Sequence, residues 1–111
     1  MSNAQENDRI FKALSHHRRR DLLDALRDNP QTTGGLCARF SDIDRCTVMQ
    51  HLKVLEEADL IIVKRDGRER WNHLNPLPIK EIHDRWIGEY AAYAVSKLAA
   101  LKAGLEGPAE S

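Results

Sequence analysis

The sequence has few of the residues that build disulfide scaffolds, membrane spans or large aromatic cores. It contains two cysteines and four prolines in 111 residues, and 5% of its residues are aromatic. Two cysteines without a signal peptide predict a reducing, cytoplasmic environment rather than a disulfide framework. No apolar run approaches the roughly 20 residues that a membrane-spanning helix needs, so we expect no membrane partner.

The sequence also lacks a net charge, since 17 basic residues balance 17 acidic ones. This balance argues against a uniformly basic nucleic-acid-binding protein, but it allows a local basic patch, because phosphate contacts depend on the local field. No nucleophile–base pair, phosphate-cradling glycine loop or carboxylate pair occurs at a usable spacing, so we expect no enzymatic activity and no catalytic residues.

The length predicts one small domain with a thin core, because short chains bury a smaller share of their surface. Such a domain often completes its core by pairing with a second copy. We expect this domain in residues 6–105. Residues 1–5 are interpreted as a flexible N-terminus that resembles a cloning remnant, and residues 106–111 as a flexible tail.

The most informative stretch covers residues 37–55. A short helix is predicted to end near Phe40 in a polar turn, and Asp44 follows as the N-cap of a second helix over residues 45–58. A helix, a turn and a second helix with a polar outward face form a helix-turn-helix, a shape that enters the DNA major groove. At about 100° per residue, the inward face of the second helix holds Val48, Leu52 and Leu55, and the outward face holds Cys46, Gln50 and Lys53.

Three shorter helices are predicted before the helix over residues 45–58. The first covers residues 7–14. The second is capped by Ser15 and ends near residue 28, where Asn-Pro stops it. The third, which opens the helix-turn-helix, covers residues 34–40 and is capped by Thr32.

A basic hairpin is predicted after the helix-turn-helix. Asp66-Gly67 lies between two β-prone runs, which is typical of a two-residue type I′ turn and would place Arg65 opposite Arg68. In the same register Val63 faces Arg70. Four of the seven residues from 64 to 70 are basic, so the hairpin tip is interpreted as a wing that contacts phosphate; the alternative is a solvated turn.

A long last helix is predicted over residues 79–103, with apolar residues at a spacing of three or four. At about 25 residues it would be about 38 Å long, and a 111-residue monomer has too little remaining surface to cover it. A symmetric homodimer is the simplest solution. The predicted fold class is therefore mainly α (α+β): a winged helix-turn-helix with a two-stranded β-hairpin wing and a long C-terminal dimerisation helix.

This order of elements resembles the ArsR-type (arsenic-repressor) family of bacterial winged-helix transcription factors. The resemblance covers about residues 8–105. It is carried by FKALS at 11–15, RRR at 18–20, HLKVLEEADLI at 51–61 and DGRER at 66–70. Members of this family are typically homodimers that bind operator DNA and repress neighbouring genes, and many release DNA when an inducer binds. The resemblance therefore implies a homodimeric repressor whose partners are double-stranded DNA and a second copy of itself.

The resemblance also implies which residues contact DNA. Gln50 would pair with adenine and Arg45 with guanine or phosphate; Lys53, nearer the far end of the helix, would reach phosphate. Met49 and Cys46 depart from the small polar residue and the proline of many members, which would change the bases that are read. The implied DNA-binding residues are Arg45, Cys46, Thr47, Met49, Gln50, His51, Lys53, Lys64, Arg65, Arg68 and Arg70. The implied dimerisation residues are Ile10, Phe11, Ile82, Trp86, Tyr90, Tyr93, Leu98 and Leu101.

The usual metal sites of the family are incomplete in this sequence. Cys37 matches the first cysteine of the arsenic-sensing pattern, but Arg39 occupies the second position, and one thiolate beside a guanidinium makes a poor site for a soft metal. We therefore expect no metal and no cofactor. The zinc-sensing pattern on the last helix fails similarly, because its four positions hold Glu81, His83, Ala94 and Lys97.

Two alternatives keep the same fold. The first is a ligand- or thiol-redox-responsive sensor. Cys37 and Cys46 are the candidates for redox sensing, although the simpler interpretation makes Cys37 a small buried filler and Cys46 a tolerated surface residue. The second is a winged-helix module that mediates protein interactions without binding DNA, and the zero net charge is its best support.

Overall fold

The computed structural model describes residues 3–106, which fall into two compact units: one up to Ile79 and one from Lys80 onward. The expected mainly helical fold with a small sheet and a long C-terminal helix is confirmed. Among the described residues no helix is long and apolar enough to cross a membrane. The elements of the first unit, in chain order, are α1 (Asn3–Leu14), α2 (His17–Leu26), β1 (Gln31–Thr32), α3 (Thr33–Arg39), α4 (Arg45–Glu57), β2 (Ile61–Asp66) and β3 (Glu69–Leu74).

The first two helices meet at a short junction that differs from the prediction. α1 starts at Asn3, four residues before its predicted start. The N-cap of α2 is His16 rather than Ser15, and its Nδ1 accepts a hydrogen bond from the Arg18 backbone N–H at 3.1 Å. The Ser15 hydroxyl is used at the end of α1, where it donates to the Lys12 carbonyl at 2.6 Å. The Ser15 side chain therefore bonds to the end of α1, and His16 caps the start of α2.

The helix-turn-helix is formed by α3 and α4. The predicted cap of α3 is confirmed, because the Thr32 hydroxyl oxygen accepts the Gly35 backbone N–H at 3.0 Å. Asp44 stands at the N-cap of α4 as predicted, but its carboxylate makes no capping hydrogen bond within the described part of the chain. The predicted carboxylate cap is therefore wrong in its contact, although the helix starts where expected.

A left-handed residue ends α4. Asp59 has φ 59°, a conformation that few non-glycine residues adopt. The Leu60 N–H bonds to the Leu55 carbonyl at 2.9 Å and the Asp59 N–H to the Glu56 carbonyl at 3.0 Å. This pair of bonds is the Schellman arrangement. It turns the chain directly from α4 into β2.

The sheet has three antiparallel strands in the order β1–β3–β2, so one strand more than predicted. β1 has two residues, Gln31 and Thr32, opposite Asn72 and Trp71 of the central strand. Two residues carry no detectable periodicity, and this strand was not predicted. Its position joins the start of α3 to the hairpin.

The hairpin forms where predicted but in a different register. Arg65 lies opposite Arg70 and Asp66 opposite Glu69, so the turn residues are Gly67 and Arg68 rather than Asp66 and Gly67. Gly67 has φ 62°, whereas Arg68 does not have a positive φ. A type I′ turn needs positive φ at both central residues, whereas a type II′ turn needs it at the first only. Glycine therefore occupies the first turn position, and the predicted pairs Arg65–Arg68 and Val63–Arg70 are wrong.

The core of the first unit is aliphatic. Its most buried side chains come from all four helices and from the start of β2, which is how a chain with few aromatics closes a small domain. One polar side chain, Asn72, is buried among them with 1% of its surface exposed. The buried apolar residues of this unit are Ile10, Ala13, Leu22, Leu23, Ala25, Leu26, Leu36, Val48, Leu52, Leu55, Ala58, Leu60 and Ile61.

The predicted single helix over residues 79–103 is interrupted. It consists of α5 (Leu77–Ile82), a π-helical turn (His83–Ile87) and α6 (Gly88–Glu106). In the π-helical turn the Gly88 N–H donates to the His83 carbonyl, and a Cβ at position 88 would lie 3.3 Å from that oxygen. Glycine therefore suits the wider turn. Of the predicted tail, residues 106–111, Glu106 is the last residue of α6, and residues 107–111 lie outside the described residues.

Candidate nucleic-acid interface

The outward face of α4 is polar and open. Val48, Leu52 and Leu55 are buried as predicted, and the residues on the opposite side are exposed. The exposed residues include a guanidinium, an amide and an ammonium group, which are the groups that contact base edges and phosphates. The members of this face are Arg45, Cys46, Thr47, Met49, Gln50 and Lys53.

The turn before α4 is fixed from two sides. The Ile43 N–H bonds to the Phe40 carbonyl at 3.0 Å, and Asp42 forms an ion pair with Arg18 at the start of α2. Arg18 therefore acts inside the protein, holding the helix-turn-helix turn to α2. This contact assigns a structural role to one member of the Arg18–Arg20 run.

The hairpin supplies basic side chains in two different settings. Lys64, Arg65 and Arg68 are exposed along β2 and at the tip. Arg70 is only half exposed, and its Nη2 lies 3.6 Å from Oε1 of Glu56 near the end of α4. The first three side chains are open to an approaching phosphate, whereas Arg70 links β3 to α4.

His51 lies at the junction of α4 with α2 instead of on the open face. Its ring centroid is 4.6 Å from that of His16, which in turn stacks on His17 at 5.2 Å. Desolvation lowers the pKa of His51, and the neighbouring His16 and Arg19 lower it further. The pKa of His16 is also lowered, by desolvation first and then by Arg19 and the other nearby cations. A pair of neutral imidazoles at this junction favours packing over a charged phosphate contact.

A groove lies between α4 and the sheet, with a volume of about 470 Å³. Sequence reasoning missed it, because its two walls are distant in the chain. Its lining combines thioether, aliphatic and polar groups with the ion pair described above. The lining residues are Thr33, Cys46, Met49, Gln50, Leu52, Lys53, Glu56, Val63, Arg70 and Asn72.

The residues predicted for dimerisation differ in exposure in the single chain. Ile10 and Ile82 are buried, and Phe11 is 47% exposed. Trp86 is half-buried, with the Arg85 guanidinium 5.1 Å from the centre of its ring. The predicted dimerisation residues on α6 are all more than half exposed: Tyr90, Tyr93, Leu98 and Leu101.

The residues considered for sensing do not converge. Cys37 is half-buried, Cys46 is exposed, and both are free thiols. Between residues 3 and 106 no three His, Cys, Asp or Glu side chains are placed to hold a metal ion. The expectation that the chain binds no metal stays a prediction.

Comparison with known proteins identifies the family. A helix-turn-helix domain family matches residues 9–64. The chain is 38% identical over 86 residues to YuzN, an uncharacterized HTH-type transcriptional regulator of Bacillus subtilis, covering 72% of this chain and 94% of that protein. It is 31% identical over 72 residues to the transcriptional repressor SdpR of the same organism, covering 65% of this chain and 79% of that protein.

A solved structure agrees with these sequence matches. The ArsR-like transcriptional regulator from Rhodococcus sp. RHA1 is 25% identical, with a TM-score of 0.73, covering 96% of this chain and 97% of that chain. The relatives are regulators rather than enzymes, as expected from the lack of catalytic groupings in the sequence. With an exposed polar α4 beside a basic hairpin, the chain belongs to the ArsR-type family of winged helix-turn-helix proteins and is a DNA-binding transcriptional regulator.

Proposed function

We propose that this protein is a cytoplasmic homodimeric repressor that binds an imperfect inverted-repeat operator. The observation that carries the proposal is the position of two surfaces on one compact unit. The polar face of α4 and the exposed basic residues of the hairpin belong to the unit that ends at Ile79. A helix for the major groove and a wing for the flanking backbone are then supplied by one body.

Base recognition is assigned to the start and middle of α4. Gln50 is exposed and its amide can pair with N6 and N7 of adenine, whereas Arg45 at the first turn can pair with guanine or with a phosphate. Lys53, one turn further along, reaches phosphate. His51 is left out of this set, because its ring packs against His16.

Phosphate affinity is assigned to Lys64, Arg65 and Arg68. These three are exposed and have no ion-pair partner within residues 3–106. Arg70 is assigned a smaller share, because Glu56 lies 3.6 Å from its guanidinium and offsets its charge. A zero net charge is compatible with this arrangement, since the wing presents its cations locally.

Dimerisation is assigned to α6. Six large apolar side chains on this helix are more than half exposed in the single chain, and contiguous exposed apolar surface of this kind marks protein interfaces. A twofold dimer would present two copies of α4 to two half-sites about 34–36 Å apart, or to a multiple of that spacing. Repression is supported by the relative that carries the name of a transcriptional repressor.

Selection from a random pool of DNA duplexes tests the proposal. Several rounds of selection with the full chain should enrich one imperfect inverted repeat, and fluorescence anisotropy should then show tighter binding to it than to a scrambled duplex of equal composition. Enrichment of no sequence, with equal binding of both duplexes, would contradict the proposal. Loss of binding to every duplex at low salt would favour the protein-interaction alternative.

A further inference from the structure

The groove between α4 and the sheet has the properties of a small-molecule site. Its volume of about 470 Å³ lies within the roughly 300–1,000 Å³ of small-molecule pockets. Met49, Leu52 and Val63 provide apolar lining from two different elements. A pocket of this kind binds the apolar body of a ligand and orients it through a few polar groups.

The charges of the groove favour an anion. Lys53 and Arg70 contribute two positive charges and Glu56 one negative charge, so the lining residues leave one positive charge. Glu56 is engaged with Arg70 at 3.6 Å. No ion pair to Lys53 occurs within residues 3–106, so its ammonium group is available to a carboxylate or sulfonate.

A buried amide supplies a second polar contact. Asn72 is 99% buried and lines the groove; its Nδ2 donates to the Gln31 carbonyl at 3.2 Å and to the Thr33 hydroxyl at 3.1 Å. Its Oδ1 accepts no hydrogen bond from any residue of the described chain. Within residues 3–106 the fully buried side-chain polar atom that has no partner is Nε of Arg19. Oδ1 of Asn72 is therefore not an unsatisfied interior atom, and it can accept a hydrogen bond from a ligand where it meets the groove surface.

We propose that this groove binds a small organic monoanion with an apolar body, and that the ligand and DNA exclude each other. The proposal rests on the proposed function, because exclusion follows from shared residues. Gln50 and Lys53 line the groove and are also assigned to DNA contacts. Occupancy of the groove therefore removes groups that DNA needs, and the ligand releases DNA by competition.

The competition has a defined size. A ligand present at ten times its dissociation constant should raise the apparent dissociation constant for DNA about tenfold for each groove that must be empty, or about 100-fold for a dimer that engages DNA through both subunits. This mode of release needs neither a metal nor a cysteine.

A fluorescent aromatic sulfonate, 8-anilinonaphthalene-1-sulfonate, serves as the probe. Titration of the full chain should show one bound probe per subunit, and an excess of random-sequence duplex at about 50 mM salt, where non-specific DNA binding is strong, should displace it. Lys53→Gln should lower the affinity for the probe by about fivefold, as expected for one exposed charge contact. Met49→Glu, which places a negative charge in the lining, should abolish binding.

Lys64→Gln is the matched control. It removes the same charge from an exposed wing residue that does not line the groove, so it should weaken DNA binding and leave probe affinity unchanged. If Lys53→Gln and Lys64→Gln changed probe affinity equally, the proposed ligand site in the groove would be wrong. Simultaneous binding of probe and DNA would overturn the exclusion while leaving the proposed function intact. If the wild-type chain bound no DNA, the proposed function would fail, and the contrast between the two lysine variants would alone decide whether the ligand site exists.

Discussion

Gln50 is the residue on which base preference should depend most. Its amide is exposed in the middle of α4, and a bidentate contact to adenine contributes about 1–3 kcal/mol of discrimination. Gln50→Ala should therefore lower the ratio of operator to scrambled-duplex affinity by about tenfold. Anisotropy titrations with both duplexes measure this ratio, and an unchanged ratio would show that α4 reads sequence through other residues.

His16 and His51 should make stability depend on pH. The pKa values of both are lowered by desolvation and by nearby cations, so the folded state favours the neutral rings. As pH falls through about 6.5, the unfolded chain gains protons before the folded one, and the free energy of unfolding should decrease until the folded pKa is passed. Protonation of His16 also removes the Nδ1 acceptor that caps α2.

Urea unfolding at about pH 5 and about pH 7.5 measures this loss of stability. His51→Gln should reduce the difference between the two pH values, because the variant has one fewer group to protonate. Gln50→Ala, which changes a side chain without a titratable group on the exposed face of α4, is the control and should keep the wild-type difference. A wild-type chain that is more stable at the lower pH would contradict the prediction.

The hairpin as an element should set the salt dependence of DNA binding. Arg65→Ala and Arg68→Ala should each weaken all duplexes alike. Each lost phosphate contact per subunit should reduce the slope of log affinity against log salt concentration by about 0.9, or about 1.8 per dimer. Arg70→Ala should change the slope less, because Glu56 already neutralises that guanidinium.

A salt series of anisotropy titrations measures the three slopes. Arg27→Ala provides the control, because it removes the same charge from an exposed residue that follows α2 and lies beside Asp28. If the slopes for Arg65→Ala and Arg68→Ala matched that of the wild type, the hairpin would be a solvated turn that does not contact phosphate.

Some features of the helices and strands could be predicted from the sequence, and others could not. The burial of Val48, Leu52 and Leu55 followed from helical periodicity, because a repeated pattern averages over many residues. The hairpin register did not follow, since Asp-Gly is compatible with turns that differ in which residue takes positive φ. The π-helical turn over His83–Ile87 left no break in the apolar spacing that could have revealed it.

The candidate site was predictable on the same terms. The exposed polar face of α4 follows from periodicity within one helix. The contact of His51 with His16 and the ion pair of Arg70 with Glu56 join residues from different elements, so only the folded backbone brings them together. Tertiary contacts of this kind leave no pattern in a single sequence.

The whole molecule should be a dimer through α6. Tyr90→Glu with Leu98→Glu places two charges in the exposed apolar stripe and should yield monomer or unfolded chain. Ala92→Glu is the control: two positions from Tyr90, it lies about 200° around the helix and should leave the dimer intact. Sedimentation velocity distinguishes these states. A wild-type chain that sediments as a monomer at tens of micromolar would rule out the dimer.

Asn72 carries a consequence for how the first unit opens. It lies in the central strand β3, and its Nδ2 donates two hydrogen bonds, one to the carbonyl of Gln31 in β1 and one to the hydroxyl of Thr33, the first residue of α3. These hydrogen bonds connect the hairpin to the start of the helix-turn-helix, so neither element can unfold locally without breaking the contacts that hold the other. Backbone amides of β3 and of the start of α3 should then exchange with deuterium in the same rare event, as one foldon.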